Sequence, residues 1–132
     1  MDYVPYIAIM LAFGLVHVPR LVVGSEMKKL DGGYNNHDPR MQQAQLEGRG
    51  RRALAAHQNG FEAFAPFAAG VLAAVQRGAN LHAIAYLSAA FIVARALYIY
   101  AYLEDKPKLR GKLWGLGVGV TGVLMILAIV GG

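Results

Sequence analysis

The chain has 132 residues, of which 56% are hydrophobic and 16% charged, with a mean hydropathy of +0.38 and a formal net charge of +5. An ordinary soluble domain carries nearer about 25% charged residues, and in so apolar a chain the excess of Lys and Arg bears on orientation rather than on nucleic-acid binding. Cys is absent, which excludes disulfides, thiolate metal sites and a cysteine nucleophile; any thiol chemistry has to come with a ligand.

The length suggests one domain. Apolar stretches at residues 3–24, 54–75, 81–103 and 113–130 are each near the ~20 residues that a spanning helix needs. They predict an all-α integral membrane four-helix bundle. A soluble bundle would show polar faces at the helical period, and these segments mostly do not. The first stretch has no basic n-region and is longer than the apolar part of a secretory signal, so it is expected to stay in the mature protein. It contains Arg20, close enough to its end to snorkel.

The connection that follows, residues 25–52, carries Lys28, Lys29, Arg40, Arg49, Arg51 and Arg52. Its segment DGGYNNHDPR is dense in turn formers, and Pro39 discourages helix at Asp38. His37 beside Asp38 supplies two potential ligands in a loop, too few to predict a metal site.

The second stretch begins RRALAAHQNGFEAFAPF, from Arg51 to Phe67. It turns from basic to apolar yet keeps His57, Asn59 and Glu62. Arg52, Asn59, Glu62 and Pro66 are spaced +7, +3 and +4, one face of a helix. His57 points away from that face, toward a neighbouring chain or a helix contact. The short connection at residues 76–80 carries only Arg77. In the third stretch Arg95, Tyr98 and Tyr102 share a face at +3 and +4. Next comes EDKPKLRGK, residues 104–112, with Lys106, Lys108, Arg110 and Lys112. With four spans both strongly basic connections fall on one side, which the positive-inside rule makes cytoplasmic, and both termini lie outside.

The fourth stretch contains GVGVTG from Gly117 to Gly122, a match to GxGxxG. No strand precedes it, so dinucleotide binding is rejected. Gly115 and Gly119 form GxxxG, a surface for close helix packing, and this helix is expected to serve as scaffold.

Arg20, Glu62 and Arg95 are ionisable groups inside apolar spans. Such a charge costs ~2.5–3.5 kcal/mol at the bilayer centre on insertion scales and marks a functional site by default. Glu62 and Arg95 each lie eight positions from the cytoplasmic end of their span, about 12 Å deep at 1.5 Å per residue. They are therefore expected to pair, with Asn59, Tyr98 and Tyr102 beside them.

These residues resemble the MAPEG family, the membrane-associated proteins of eicosanoid and glutathione metabolism. The second-helix pattern of that family reads here as Arg52, Asn59, Glu62 and Pro66-Phe67, with His57 a residue type common there. The third-helix pattern reads as Arg95, Tyr98 and Tyr102, and Arg110 best matches an arginine just past that helix. The loop NNHDPR is similar to bacterial members. The resemblance covers nearly the whole chain. It implies a homotrimer with intersubunit sites opening toward the cytoplasmic leaflet, in a bacterial inner membrane. It also implies bound glutathione, with Arg52, His57, Asn59, Glu62, Arg95 and Tyr98 as its binding residues. Arg110 and Tyr102 would then stabilise a thiolate that attacks a lipophilic substrate or reduces a peroxide. One position departs from the pattern: four residues before Asn59, members that bind glutathione often carry an arginine, and this chain has Ala55. That departure keeps a second expectation open, a non-enzymatic protein holding an anionic lipid or metabolite in the same cleft. A transporter or channel would need a continuous polar path, and the outer half of every span lacks charge.

Overall fold

The structure is a computed structural model and describes residues 2–132. Five helices follow in order: α1 (Val4–Lys28), α2 (Pro39–Ala44), α3 (Gly48–Gln76), α4 (Leu81–Leu103) and α5 (Pro107–Val130), with no strand among the described residues. Of these, α1, α4 and α5 are long and apolar enough to cross a membrane. The 29-residue α3 is the longest, but its arginines, Glu62, His57 and Asn59 dilute its apolar character.

Each of the four expected apolar stretches is helical, and the helices run further than the apolar runs do. α3 starts at Gly48 rather than at residue 54, and α5 starts at Pro107 rather than at residue 113. The reason is local: Arg and Lys are good helix formers, and Pro107 at the first helical turn of α5 has φ pre-set and no N–H to waste. The basic connections are thus largely helix ends. Asp38 caps α2 by accepting from the Met41 N–H at 3.3 Å, with Pro39 opening the helix. Asn80 caps α4 by accepting from Ala83 N–H at 3.1 Å. Gly48 takes φ +54°, a value that suits glycine, where the chain turns from α2 into α3.

α3 and α4 form the centre of the assembly. Each touches α1 and α5, while α1 and α5 do not touch one another among the described residues. The main core lies toward the ends of α3 and α5 and the start of α4, where Phe67, Val71, Ile84, Phe91, Val120 and Leu124 are buried. The Phe67 and Phe91 rings stack with centroids 3.8 Å apart. A second cluster of Val23, Met27, Leu46 and Ala53 holds Leu30 and Tyr34 of the long connection against the ends of α1 and α3. At the α1–α3 crossing, a Cβ added to Gly60 would stand 3.2 Å from the Val16 Cα, so the absence of a side chain sets the closeness of these helices. Large apolar side chains such as Met10, Leu21, Leu116 and Ile129 stay exposed on the outer faces, the arrangement lipid contact requires.

Candidate functional site

α3, α4 and α5 enclose a cleft of about 370 Å³. α3 contributes Asn59, Glu62, Ala63 and Pro66, α4 contributes Phe91 and Arg95, and α5 contributes Trp114, Gly117, Val118, Thr121, Gly122 and Met125. The volume falls within the roughly 300–1,000 Å³ range of small-molecule sites. Its polar groups gather around Asn59, Glu62 and Arg95, and the rest of the wall is apolar apart from the Trp114 indole N–H and the Thr121 hydroxyl. That hydroxyl is committed, donating to the Gly117 carbonyl at 2.9 Å.

Arg95 is only 5% exposed. Its Nη1 donates to Asn59 Oδ1 at 2.9 Å, and its guanidinium lies over the Tyr98 ring at 4.0 Å. Its methylenes pass Gly117, where a Cβ would meet Arg95 Cδ at 3.9 Å. The expected ion pair between Glu62 and Arg95 is not formed: the ion pairs among the described residues are Lys29–Glu26 and Arg49–Glu104. Glu62 and Arg95 line the same cleft, but it is Asn59, one turn closer to the helix start, that meets the guanidinium. Glu62 is three residues further on and turns to the exposed mouth of the same cleft. Pro66 has no N–H, so the Glu62 carbonyl also loses its ordinary helical donor. Glu62 therefore brings two acceptors, one charged and one neutral.

From Arg95 a ladder of rings and cations runs toward α5. Tyr98 and Tyr102 meet edge to face with centroids 5.6 Å apart, and the Arg110 guanidinium lies over the Tyr102 ring at 4.3 Å. Arg95, Tyr98, Tyr102 and Arg110 are thus one connected group, although only Arg95 lines the cleft. Arg52 lies apart. Its Nη2 donates to the Leu103 carbonyl at the end of α4, at 3.2 Å, and its Nε is buried without a partner.

His57 faces α1. Its Nδ1 is 2.8 Å from the Val16 carbonyl; a carbonyl only accepts, so Nδ1 carries the proton and donates. The ring sits among His17 and Phe61 at centroid distances of 5.8 and 5.1 Å. The alternative of a helix contact therefore describes His57 within one chain. Ala55 is half-buried and adds no charge.

α5 was expected to be scaffold, and instead it forms one wall of the cleft. Trp114, Gly117 or Val118, Thr121 and Met125 recur at helical spacing, and the lone Trp was the available signal. Its GxxxG surface, in contrast, makes no contact within the chain: nothing lies within 4 Å of a Cβ placed on Gly115 or Gly119. The close approaches are made at Gly50, Gly60 and Gly70 instead.

A model of the MAPEG family matches residues 4–130. The chain belongs to the MAPEG family. With its three apolar helices, this MAPEG protein is an integral membrane protein, and it is a member of a family whose proteins act in eicosanoid and glutathione metabolism. Comparison with curated proteins returned no match. The MAPEG pattern and the cleft coincide at Asn59, Glu62, Pro66 and Arg95; Tyr98, Tyr102 and Arg110 form the ladder beside it, while Arg52, His57 and Phe67 face the end of α4, α1 and the core.

Proposed function

We propose that this MAPEG protein is a membrane-embedded glutathione transferase or peroxidase that joins a thiol to lipophilic electrophiles or reduces lipophilic peroxides. In this reading α3 is a fourth span, the basic helix ends face the cytoplasm across a bacterial inner membrane, and the chain assembles as a homotrimer.

One observation carries the reading. Arg95 is a buried cation whose hydrogen-bonding partner is neutral, next to an unpaired carboxylate, in a cleft with an apolar far wall. A buried charge whose nearest carboxylate is out of contact is costly, and an anionic ligand in direct contact would offset that cost. Glutathione carries two carboxylates, an ammonium and a thiol, and the donor set suits it. Arg95 has free N–H donors for a carboxylate, and the Glu62 carboxylate and carbonyl accept from an ammonium. Arg52 stands outside the cleft lining, with a buried Nε–H that lacks an acceptor. Trp114, Val118 and Met125 offer apolar surface to a lipophilic second substrate and keep water from it.

When bound, glutathione supplies a sulfur nucleophile and reductant whose thiolate, with an ordinary thiol pKa of about 8.5, needs a cation nearby. Arg110 provides that positive charge electrostatically, since a guanidinium does not act as a base. Tyr102, held under Arg110 by ring contact, offers a hydroxyl donor.

Ala55 and the engagement of Arg52 with Leu103 favour a second reading, a non-enzymatic protein that holds an anionic lipid or metabolite in this cleft. Calorimetric titration of the detergent-solubilised protein with glutathione, paired with turnover of a chlorodinitrobenzene, separates the two. Saturable heat and turnover are expected. Absence of both, with an anionic lipid co-purifying, would establish the second reading instead.

A further inference from the structure

Arg20 has no place in the cleft, and it makes no ion pair among the described residues. Its Nη2 donates to the Tyr34 hydroxyl at 2.9 Å. The side chain runs toward the end of α1: a Cβ added at Gly24, one turn on, would stand 3.2 Å from Arg20 Nη1. The guanidinium therefore lies over the bare backbone of Gly24, about 6 Å further along the axis than its own Cα. That is the direction an arginine takes to reach the polar boundary from inside an apolar span.

Tyr34 comes from the loop after α1 and is packed against the Val23, Met27, Leu46 and Ala53 cluster, so its hydroxyl is held in place. In this bond the Tyr34 oxygen accepts, and its own O–H remains to donate. The guanidinium has five N–H donors, most of them uncommitted. The two side chains thus present a fixed set of donors and one full positive charge. Phe13, two turns back on the face of Arg20, and Leu21, next to it in the chain, are 51% and 76% exposed. An anion seated at Arg20 would lie beside apolar surface that acyl chains cover.

We propose that Arg20 and Tyr34 form a headgroup site for an anionic phospholipid on the outside of α1, separate from the α3–α4–α5 cleft. The phosphate would take a forked pair of hydrogen bonds from Arg20 and a third from the Tyr34 hydroxyl, while the acyl chains lie along Phe13 and Leu21. The site depends on the membrane setting of α1 and not on the reaction proposed for the cleft.

The test is native mass spectrometry of the full-length protein, released from detergent after equilibration with equal amounts of phosphatidylglycerol and phosphatidylcholine. The wild type should retain phosphatidylglycerol by about tenfold over phosphatidylcholine, the effect of one charge-assisted contact. Arg20→Gln should abolish the preference. Tyr34→Phe, which keeps the packed ring and decides the matter if Arg20→Gln does not fold, should weaken it several-fold. Glycerol phosphate at the same concentration should not displace the lipid. Equal retention of the two lipids overturns the proposal, as does an unchanged preference in both variants. Displacement by glycerol phosphate also overturns it, since the site would then be one for soluble phosphates.

Discussion

Asn59 and Arg95 meet across the α3–α4 contact, where a carboxamide oxygen rather than a carboxylate holds a buried guanidinium at 2.9 Å. A neutral acceptor satisfies one N–H and leaves the positive charge without a carboxylate in contact, since Glu62 stands off at the mouth of the cleft. That residual charge is what makes the cleft attractive to an anion.

Asn59→Asp would therefore separate stability from binding. A carboxylate at the same place gives Arg95 a counter-charge, so melting temperature in detergent should stay the same or rise. Glutathione affinity should fall by at least tenfold, since hydrogen bonds to charged groups contribute about 1.5–3 kcal/mol. Asn59→Leu should instead lower stability by about that amount, because the guanidinium loses its acceptor. Equal glutathione affinity in wild type and Asn59→Asp, by calorimetry, would remove Arg95 from the binding reading.

His57 acts on the opposite side of α3, and the position of its donor atom gives a clean comparison. In His57→Asn the amide nitrogen occupies roughly the place of Nδ1 and can still donate to the Val16 carbonyl. In His57→Gln the donor is displaced outward by one bond. Thermal melts should show Asn near wild type and Gln lower by about 0.5–1.5 kcal/mol, the contribution of one ordinary hydrogen bond. If Gln is tolerated and Asn is not, the Val16 contact is not what His57 provides.

Long-range geometry marks where sequence reading stopped. Four apolar runs translate directly into four helices because a helix-length run of Ala, Leu, Val and Ile has few other options. Equal depth of Glu62 and Arg95, and of Asn59 and Tyr98 about one turn nearer the boundary, follows from counting 1.5 Å per residue. Which of two residues three positions apart meets Arg95 does not follow, since it depends on a helix rotation of some tens of degrees. The role of α5 was hidden for a related reason. Apart from the lone Trp114, the stripe through Thr121 and Met125 is ordinary for an apolar helix, and only packing shows that it faces a cleft. The GxxxG surface is left without a neighbour in this chain: small residues permit close approach, but they do not say which neighbour arrives.

The glycines give a second contrast. Gly60→Ala places a methyl 3.2 Å from the Val16 Cα, and backbone cannot step aside as a flexible side chain can. Overpacking of this kind costs about 1–3 kcal/mol, so a clear drop in melting temperature is expected. Gly119→Ala meets nothing within 4 Å in this chain and gains helix propensity of about 0.8–1 kcal/mol, so its melt should be unchanged or higher. A loss of stability at Gly119 would mean that another chain packs on that surface.

Ser88 is fully buried and its Oγ has no hydrogen-bond partner. A buried hydroxyl left unpaired costs about 1–3 kcal/mol of desolvation, whereas a methyl of almost the same volume costs none. Ser88→Ala should therefore stabilise the protein, with glutathione titration unaffected because Ser88 does not line the cleft. A destabilised Ser88→Ala would show that the hydroxyl has a partner, such as a bound water.

Arg110 tests the chemistry most directly, because its structural contribution is small and its proposed electrostatic one is large. The guanidinium stacks on the Tyr102 ring at 4.3 Å, a contact worth about 0.5–1 kcal/mol at an accessible position. Arg110→Ala should accordingly melt close to wild type. If the guanidinium stabilises developing negative charge on sulfur, the same change should lower chlorodinitrobenzene turnover by about 10²–10³, as removal of a single preorganised donor does in other enzymes. Arg110→Lys keeps the charge but not the planar stack, so its rate should fall between the two. Tyr102→Phe preserves the ring under Arg110 and removes only the hydroxyl, and should cost less than Arg110→Ala. A protein in which Arg110→Ala turns over at the wild-type rate would place the catalytic cation elsewhere. Arg95, with its uncommitted N–H groups already in the cleft, would then be the group to test.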